Sequence, residues 1–156
     1  MEAGTVLIMR HAEKSDDPLN PNLSSAGYER AQRLADFIPA KFGKPQFLFG
    51  SATSKHSRRP IETLEPLAKT CGLAINTDFA DQDYGALAHT VLESPGYDDA
   101  LVVICWHHGN IPPLAHAFKA EDGQYPDPWK RSVFNLVLRF DILRGSPRVT
   151  QITEPF

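Results

Sequence analysis

The stretch "TVLIMRHAEK", Thr5–Lys14, places an apolar segment directly before a cluster of charge. Thr5–Met9 is a nearly continuous apolar or β-branched run, the pattern of a strand that is covered on both faces in a parallel sheet. Arg10 and His11 follow at once. Because ligands collect at the carboxyl ends of parallel strands, this charge indicates a functional edge of the predicted sheet.

Two further apolar runs lead into similar chemistry. Gln46–Ser51 is followed by "SATSKHSRRPIET", residues 51–63, which carries Arg58 and Arg59 at a predicted helix start. Leu101–Trp106 is followed by "HHGN", residues 107–110. The ends of these central strands are therefore expected to bring two histidines and at least two arginines to one region.

The remaining periodicity predicts the fold class. Apolar residues at helical spacing predict three helices, and an alternating segment near the end predicts a β-hairpin whose turn is marked by Gly145 and Pro147. The resulting prediction is a single α/β domain, residues 1–156, a three-layer sandwich with a mostly parallel central sheet and an antiparallel edge hairpin. The helices are Ala26–Phe42, Pro60–Cys71 (with Pro66 as a kink or early end) and Ile111–Lys119, and the hairpin strands are Val133–Ile142 and Arg148–Ile152.

Composition narrows the class of protein. A formal charge of −3 over 156 residues argues against binding to nucleic acid or to anionic membranes, which requires a basic face. The apolar runs are too short to span a bilayer, and the first residues do not have the pattern of a signal peptide. Neither of the two cysteines, Cys71 and Cys105, has a metal-binding spacing. These features predict a reduced, cytoplasmic protein.

The clustered residues suit a phosphate. Arginine stays protonated and its planar fork matches phosphate oxygens, while a helix that starts at Pro60 adds free N–H groups that favour an anion. A histidine in such a pocket can attack phosphorus, and a second histidine can stabilise the charge that develops. Asn110 either binds the phosphate or caps the following helix.

Four motifs, taken together, resemble the histidine phosphatase superfamily, whose fold is phosphoglycerate mutase-like. Residues 10–13 (R-H-A-E) resemble its R-H-G/A-E signature. "LSSAGYERAQRLA" is similar to its L-T-x-x-G-x-x-Q-A segment, with Arg30 where glutamine is usual. "SATSKHSRRPIET" is similar to its S…R-x-x-x-T element and points to Arg59, and "VVICWHHGNI" is similar to its V-V-x-x-H-G-x-I element, whose glycine selects His108 over His107.

The resemblance implies a phosphatase that acts through a phosphohistidine on His11. Arg10, Arg59 and His108 would neutralise the phosphoryl oxygens, and no metal or other cofactor would be required. Phosphate, sulfate or vanadate would be able to occupy the site. The implied substrate is a phosphorylated small molecule or a phosphoprotein. A non-catalytic module that binds phosphate or a phosphoprotein is the alternative, and a phosphomutase is disfavoured because the chain has little room for a long insertion over the site.

The proton donor is less well defined. "FADQDYGAL" fits the family segment that carries a catalytic glutamate, with Asp81 in the position of the glutamate. Asp83 and the absence of any acid are the alternatives. A metal site formed by His107 and His108 is disfavoured, because adjacent residues on a strand point to opposite faces and so rarely bind one metal ion together. His107 is interpreted as a structural residue or as a contact behind the ligand-binding side chains. His56 is interpreted as a surface or core residue.

Overall fold

The computed structural model describes residues 1–156 and contains six strands: β1 Ala3–Arg10, β2 Phe47–Gly50, β3 Ile75–Asn76, β4 Leu101–Trp106, β5 Leu136–Leu143 and β6 Ser146–Thr153. They form one sheet in the order β3-β2-β4-β1-β5-β6. Strands β1 to β4 pair in parallel, whereas β5 pairs antiparallel with both β1 and β6. The predicted mixed sheet with an antiparallel edge hairpin is therefore confirmed.

Helices cover both faces of this sheet. Because successive strand residues point to opposite faces, Val6 and Ile8 join one core cluster while Leu7 and Met9 join the other. The helices are α1 Ser25–Phe42, α2 Arg59–Cys71, α3 Tyr84–Glu93 and α4 Ile111–Ala117. The first cluster includes residues of α3 and α4, and the second includes residues of α1 and α2. The result is the predicted three-layer arrangement.

The ends of α1 and α2 follow their capping residues. Ser24 precedes α1, and its Oγ accepts a hydrogen bond from the Gly27 N–H at 3.1 Å. Gly72 ends α2 in the left-handed conformation, at φ 66°. Pro66 does not shorten α2, which continues through it to Cys71. None of the helices is both long enough and apolar enough to cross a membrane.

The structure differs from the sequence predictions in two regions. Strand β3 and helix α3 lie in the connection between α2 and β4, for which the sequence pattern predicts no element. The predicted strand from Val133 begins only at Leu136, because the preceding residues turn towards the end of β1. Strand β6 begins at Ser146, so Pro147 belongs to the strand and the turn consists of Arg144 and Gly145.

Candidate active site

A cleft of about 580 Å³ lies at the carboxyl ends of β1, β2 and β4. Sixteen residues line it, and Ala52 and Ala80 are the only apolar ones. The lining is therefore almost entirely polar. Its positively charged side chains are Arg10, Lys14 and Arg59, and its one carboxylate is Asp81. Five of the six residues predicted for the site are among its lining residues: Arg10, His11, Arg59, Asp81 and His108.

His11 lies immediately after β1, with only 2% of its surface exposed. Its Nδ1 is 2.7 Å from the carbonyl oxygen of Ala12. A carbonyl oxygen can only accept, so Nδ1 must carry the proton and Nε2 keeps its lone pair. Burial lowers the pKa of His11 to about 3, partly offset by the Ala12 hydrogen bond, and nearby positive charge lowers it further. The ring is thus a neutral imidazole whose Nε2 has no partner within the protein.

Arg10, the last residue of β1, is fixed by the loop before β5. Its Nη1 donates to the carbonyl oxygens of Arg131 at 2.5 Å and Val133 at 3.4 Å, and its guanidinium lies 3.9 Å from the centre of the Phe134 ring. Its Nε is buried without a hydrogen-bond partner. Burial lowers the pKa of Arg10 to about 10, so the side chain keeps its charge at neutral pH. A rigid cation with a free donor therefore lines the cleft.

Arg59 provides the second positive charge at the start of α2. Its Nη2 donates to the Asn20 carbonyl at 2.5 Å, and its Nε donates to the Asn22 carbonyl at 3.3 Å. Burial lowers its pKa, partly offset by the nearby Glu62 carboxylate. The same carboxylate accepts a hydrogen bond from the Leu23 N–H at 3.0 Å and so holds the loop that holds Arg59.

Thr63 links the start of α2 to the loop after β1. Its hydroxyl donates to the Arg59 carbonyl at 2.7 Å and accepts from the Ala12 N–H at 2.9 Å. The side chain is fully buried. Thr63 thereby fixes the backbone next to His11 against the first turn of α2.

Both histidines after β4 line the cleft. They do not alternate between opposite faces as neighbours within a strand would, because β4 ends at Trp106 and a 3₁₀ turn begins at His108. His107 packs edge-on against His11, with ring centres 5.3 Å apart. Burial lowers the pKa of His107, partly offset by the Asp81 carboxylate. Burial and the nearby arginines and lysine lower the pKa of His108. The structure therefore places His107, as well as His108, on the cleft that holds the candidate nucleophile.

Asp81 is the only acid on the cleft. Its Oδ2 accepts from Asn110 Nδ2 at 2.8 Å, and its carbonyl accepts from Trp106 Nε1 at 2.9 Å, while Oδ1 is buried without a partner. Asp83 does not line the cleft; its carboxylate accepts from the Ala80 N–H at 3.4 Å. Asn110 also lies off the cleft and makes no capping hydrogen bond to α4, so in this structure it holds Asp81 instead.

Comparison with solved structures identifies the fold. The protein histidine phosphatase SixA in complex with tungstate matches with a TM-score of 0.70 and 16% identity over 96% of each chain. The chain has the histidine phosphatase fold. A mycobacterial glucosyl-3-phosphoglycerate phosphatase matches with a TM-score of 0.66 and 16% identity, over 97% of this chain and 98% of that one. An Entamoeba histolytica phosphoserine phosphatase in complex with 3-phosphoglyceric acid matches with a TM-score of 0.67 and 12% identity, over 97% of each chain.

No family model and no curated protein matches the sequence. The likeness to histidine phosphatases therefore consists of the fold and the short motifs described above. The loop after β1 is held from two sides. The Glu13 carboxylate accepts from Arg30 Nε at 2.8 Å and Nη2 at 3.1 Å, and Arg30 Nη1 also donates to Glu154 at 2.9 Å. Arg30, which stands where the superfamily pattern has glutamine, thus ties the loop after His11 to α1 and to the last residues of the chain.

Sequence reasoning missed several residues of the cleft in this histidine phosphatase fold. Ser51 follows β2 directly and is 1% exposed, with an Oγ that has no hydrogen-bond partner. His56 and Gln82 lie on the exposed rim. The position of Ser51 after an apolar strand is a usable signal, whereas His56 and Gln82 are brought in by loop conformation. No group of three His, Cys, Asp or Glu side chains is arranged to hold a metal ion.

The burial of His11 predicts a pH dependence of stability. The unfolded chain takes up a proton at His11 below its ordinary pKa of 6.5, whereas the folded state takes it up only near pH 3. The contribution of His11 to the free energy of unfolding is therefore lost as the pH falls from 6.5 towards about 3, and it is regained as the pH rises. We expect His11→Asn to lose less free energy of unfolding than wild type between about pH 7.5 and about pH 4.5, measured by urea denaturation. Equal losses in the two proteins would contradict this.

Proposed function

We propose that this protein is a phosphatase that hydrolyses a phosphomonoester, or a phosphorylated protein side chain, through a phosphohistidine on His11. The observation that carries the proposal is the state of His11: its Nδ1 is bound to the Ala12 carbonyl, and its Nε2 keeps a lone pair on a cleft that also holds Arg10 and Arg59. A fixed, neutral imidazole beside two guanidinium groups combines a nucleophile with a site for an anion.

The first half-reaction follows from this arrangement. His11 Nε2 attacks the phosphorus, a P–N bond forms, and the P–O bond to the leaving group breaks. Arg10, Arg59 and the histidines after β4 stabilise the charge on the phosphoryl oxygens. Asp81, when protonated, gives its proton to the leaving oxygen.

The second half-reaction returns the enzyme to its starting state. Asp81, now a carboxylate, takes a proton from a water molecule that attacks the phosphorus. The P–N bond breaks, and inorganic phosphate leaves while His11 regains its lone pair. Asn110 and Trp106 fix Asp81 through both steps.

The proposal includes catalysis without a metal ion, because two arginines can neutralise the transferred group themselves. Support for anion binding comes from relatives of the same fold: the SixA structure is a complex with tungstate, and the mycobacterial phosphatase has been described with inorganic phosphate. We therefore expect inorganic phosphate, sulfate and vanadate to occupy this cleft.

The direct test is phosphate release from an aryl phosphate in the presence of EDTA. Turnover together with a phosphoryl group that is detected on His11 by mass spectrometry after rapid quenching would support the proposal. Binding of phosphate without turnover of aryl phosphates or phosphopeptides, and without a trapped intermediate, would overturn it in favour of a non-catalytic binding module.

The loss of activity caused by Asp81→Asn should depend on the basicity of the leaving group. An alkoxide leaves poorly without a proton, whereas nitrophenolate does not need one. We expect kcat/KM, which reports the first half-reaction, to fall about 100-fold or more for an alkyl phosphate and less than about 10-fold for an aryl phosphate. Asp83→Asn, whose side chain lies off the cleft, is the matched control and should leave both rates unchanged. Equal losses on the two substrates would exclude Asp81 as the acid.

A further inference from the structure

Three buried side-chain nitrogen or oxygen atoms in the whole chain have no hydrogen-bond partner: Arg10 Nε, Ser51 Oγ and Asp81 Oδ1. Buried polar atoms are nearly always hydrogen-bonded, because leaving one unpaired costs its full desolvation. All three belong to residues that line the same cleft. Arg10 Nε and Ser51 Oγ can both donate, so their concentration there indicates a ligand that carries acceptor oxygens, whereas Asp81 Oδ1 would donate to such a ligand only when protonated.

Ser51 is held rigidly at this position. Its N–H donates to the Cys105 carbonyl at 3.3 Å, and the next N–H, of Ala52, donates to the Phe79 carbonyl at 2.9 Å. The backbone is thus fixed to β4 on one side and to the segment before Asp81 on the other. With 1% of its surface exposed, the residue lies at the floor of the cleft and not at its rim.

The charges of the cleft define what the hydroxyl would meet. Arg10 and Arg59 are fixed cations, so an anion is the favoured occupant. The oxygens of a phosphoryl dianion can only accept hydrogen bonds, whereas a serine hydroxyl rotates freely and can donate one. An anionic oxygen therefore provides the partner that Ser51 Oγ lacks.

We propose that Ser51 is a phosphoryl-binding residue whose hydroxyl donates a hydrogen bond to an oxygen of the group transferred to His11. The assignment rests on the proposed function, since it requires a phosphoryl group in this cleft. It adds a neutral donor to the arginines and histidines, directly at the carboxyl end of β2.

A binding role and a structural role predict opposite effects of Ser51→Ala. The unbound protein gains nothing from an unpaired buried hydroxyl, so removing it should leave the thermal unfolding temperature unchanged or raise it. Binding of phosphate should weaken about 10- to 100-fold, because hydrogen bonds to charged groups are the stronger ones. If Ser51 is instead a structural residue, the variant will unfold at a lower temperature.

The experiment measures inorganic phosphate and vanadate binding by calorimetry, and thermal unfolding without ligand, for wild type, Ser51→Ala and Ser146→Ala. Ser146 is exposed at the start of β6 and is the matched control. Weaker binding by Ser51→Ala alone, with undiminished stability, is the expected result. Wild-type affinity in Ser51→Ala, or a loss of stability, would overturn the assignment of Ser51 and leave the proposed function standing. Failure of the wild type to bind either anion would overturn both.

Discussion

Turnover of an aryl phosphate by His11→Ala should fall about 10,000-fold or more below wild type, because the variant lacks the only nitrogen that the proposed reaction uses as a nucleophile. The arginines and the cleft remain, so phosphate should still bind. The effect should appear in kcat and not in the affinity for phosphate. Initial rates of phosphate release, together with phosphate titrations, measure the two quantities separately.

The control for this experiment is His89→Ala, which removes an exposed imidazole from α3 and should retain wild-type turnover. Circular dichroism on both variants checks that the fold is intact. Turnover by His11→Ala within about 10-fold of wild type would place the nucleophile elsewhere, and His107 would then be the first candidate, since its ring packs against His11.

Gly27→Ala is expected to have the largest effect on stability. A Cβ at this position would lie 2.1 Å from the carbonyl oxygen of Glu13. That oxygen cannot move cheaply, because it accepts hydrogen bonds from the Ser24 N–H at 2.9 Å and the Ser24 hydroxyl at 3.2 Å. We expect a loss of about 3 kcal/mol in the free energy of unfolding, as for a severely overpacked core. In a chain of this length the melting temperature would fall by roughly 6 to 12 °C.

Gly85→Ala is the matched control, because a Cβ there meets no atom within 4 Å and the position lies in α3. Alanine favours helix more than glycine does, so this variant should be neutral or slightly stabilised. Since Glu13 follows His11 by two residues, Gly27→Ala should also reduce turnover at temperatures at which it remains folded. A melting temperature within about 2 °C of wild type would show that the two segments can separate without cost.

Much of the fold was predictable because its signals are local. The central strands are continuous apolar runs, and Ser24, Gly43 and Gly72, which are of the types that commonly cap helices, flank α1 and α2. Helix α3 was not predictable in the same way, since "YGALAHTVLE" contains a glycine and two β-branched residues and has little polar periodicity. Its helical state depends on packing against α4 and the sheet.

The candidate site likewise contains residues that local sequence signals predict and residues that are placed by tertiary structure. Arg10, His11 and Arg59 could be predicted from strand ends and motif spacing, and they line the cleft. The approach of His107 to His11 could not, because it depends on where β4 gives way to a 3₁₀ turn. Likewise, Asn110 lies at a position where the motif after β4 allows any residue, and its partner Asp81 is 29 residues away and is brought to it by loop conformation.

The fixation of Arg10 by the carbonyls of Arg131 and Val133 has a consequence for how the chain becomes active. Every residue predicted to take part in the chemistry lies between positions 10 and 110, but the groups that orient Arg10 are more than a hundred positions further along. A nascent chain released up to α4 would carry the complete set of reactive side chains with one of its two guanidinium groups unanchored. Competence for the proposed phosphate chemistry thus requires the chain to be synthesised through at least Val133, beyond the last of the reactive side chains.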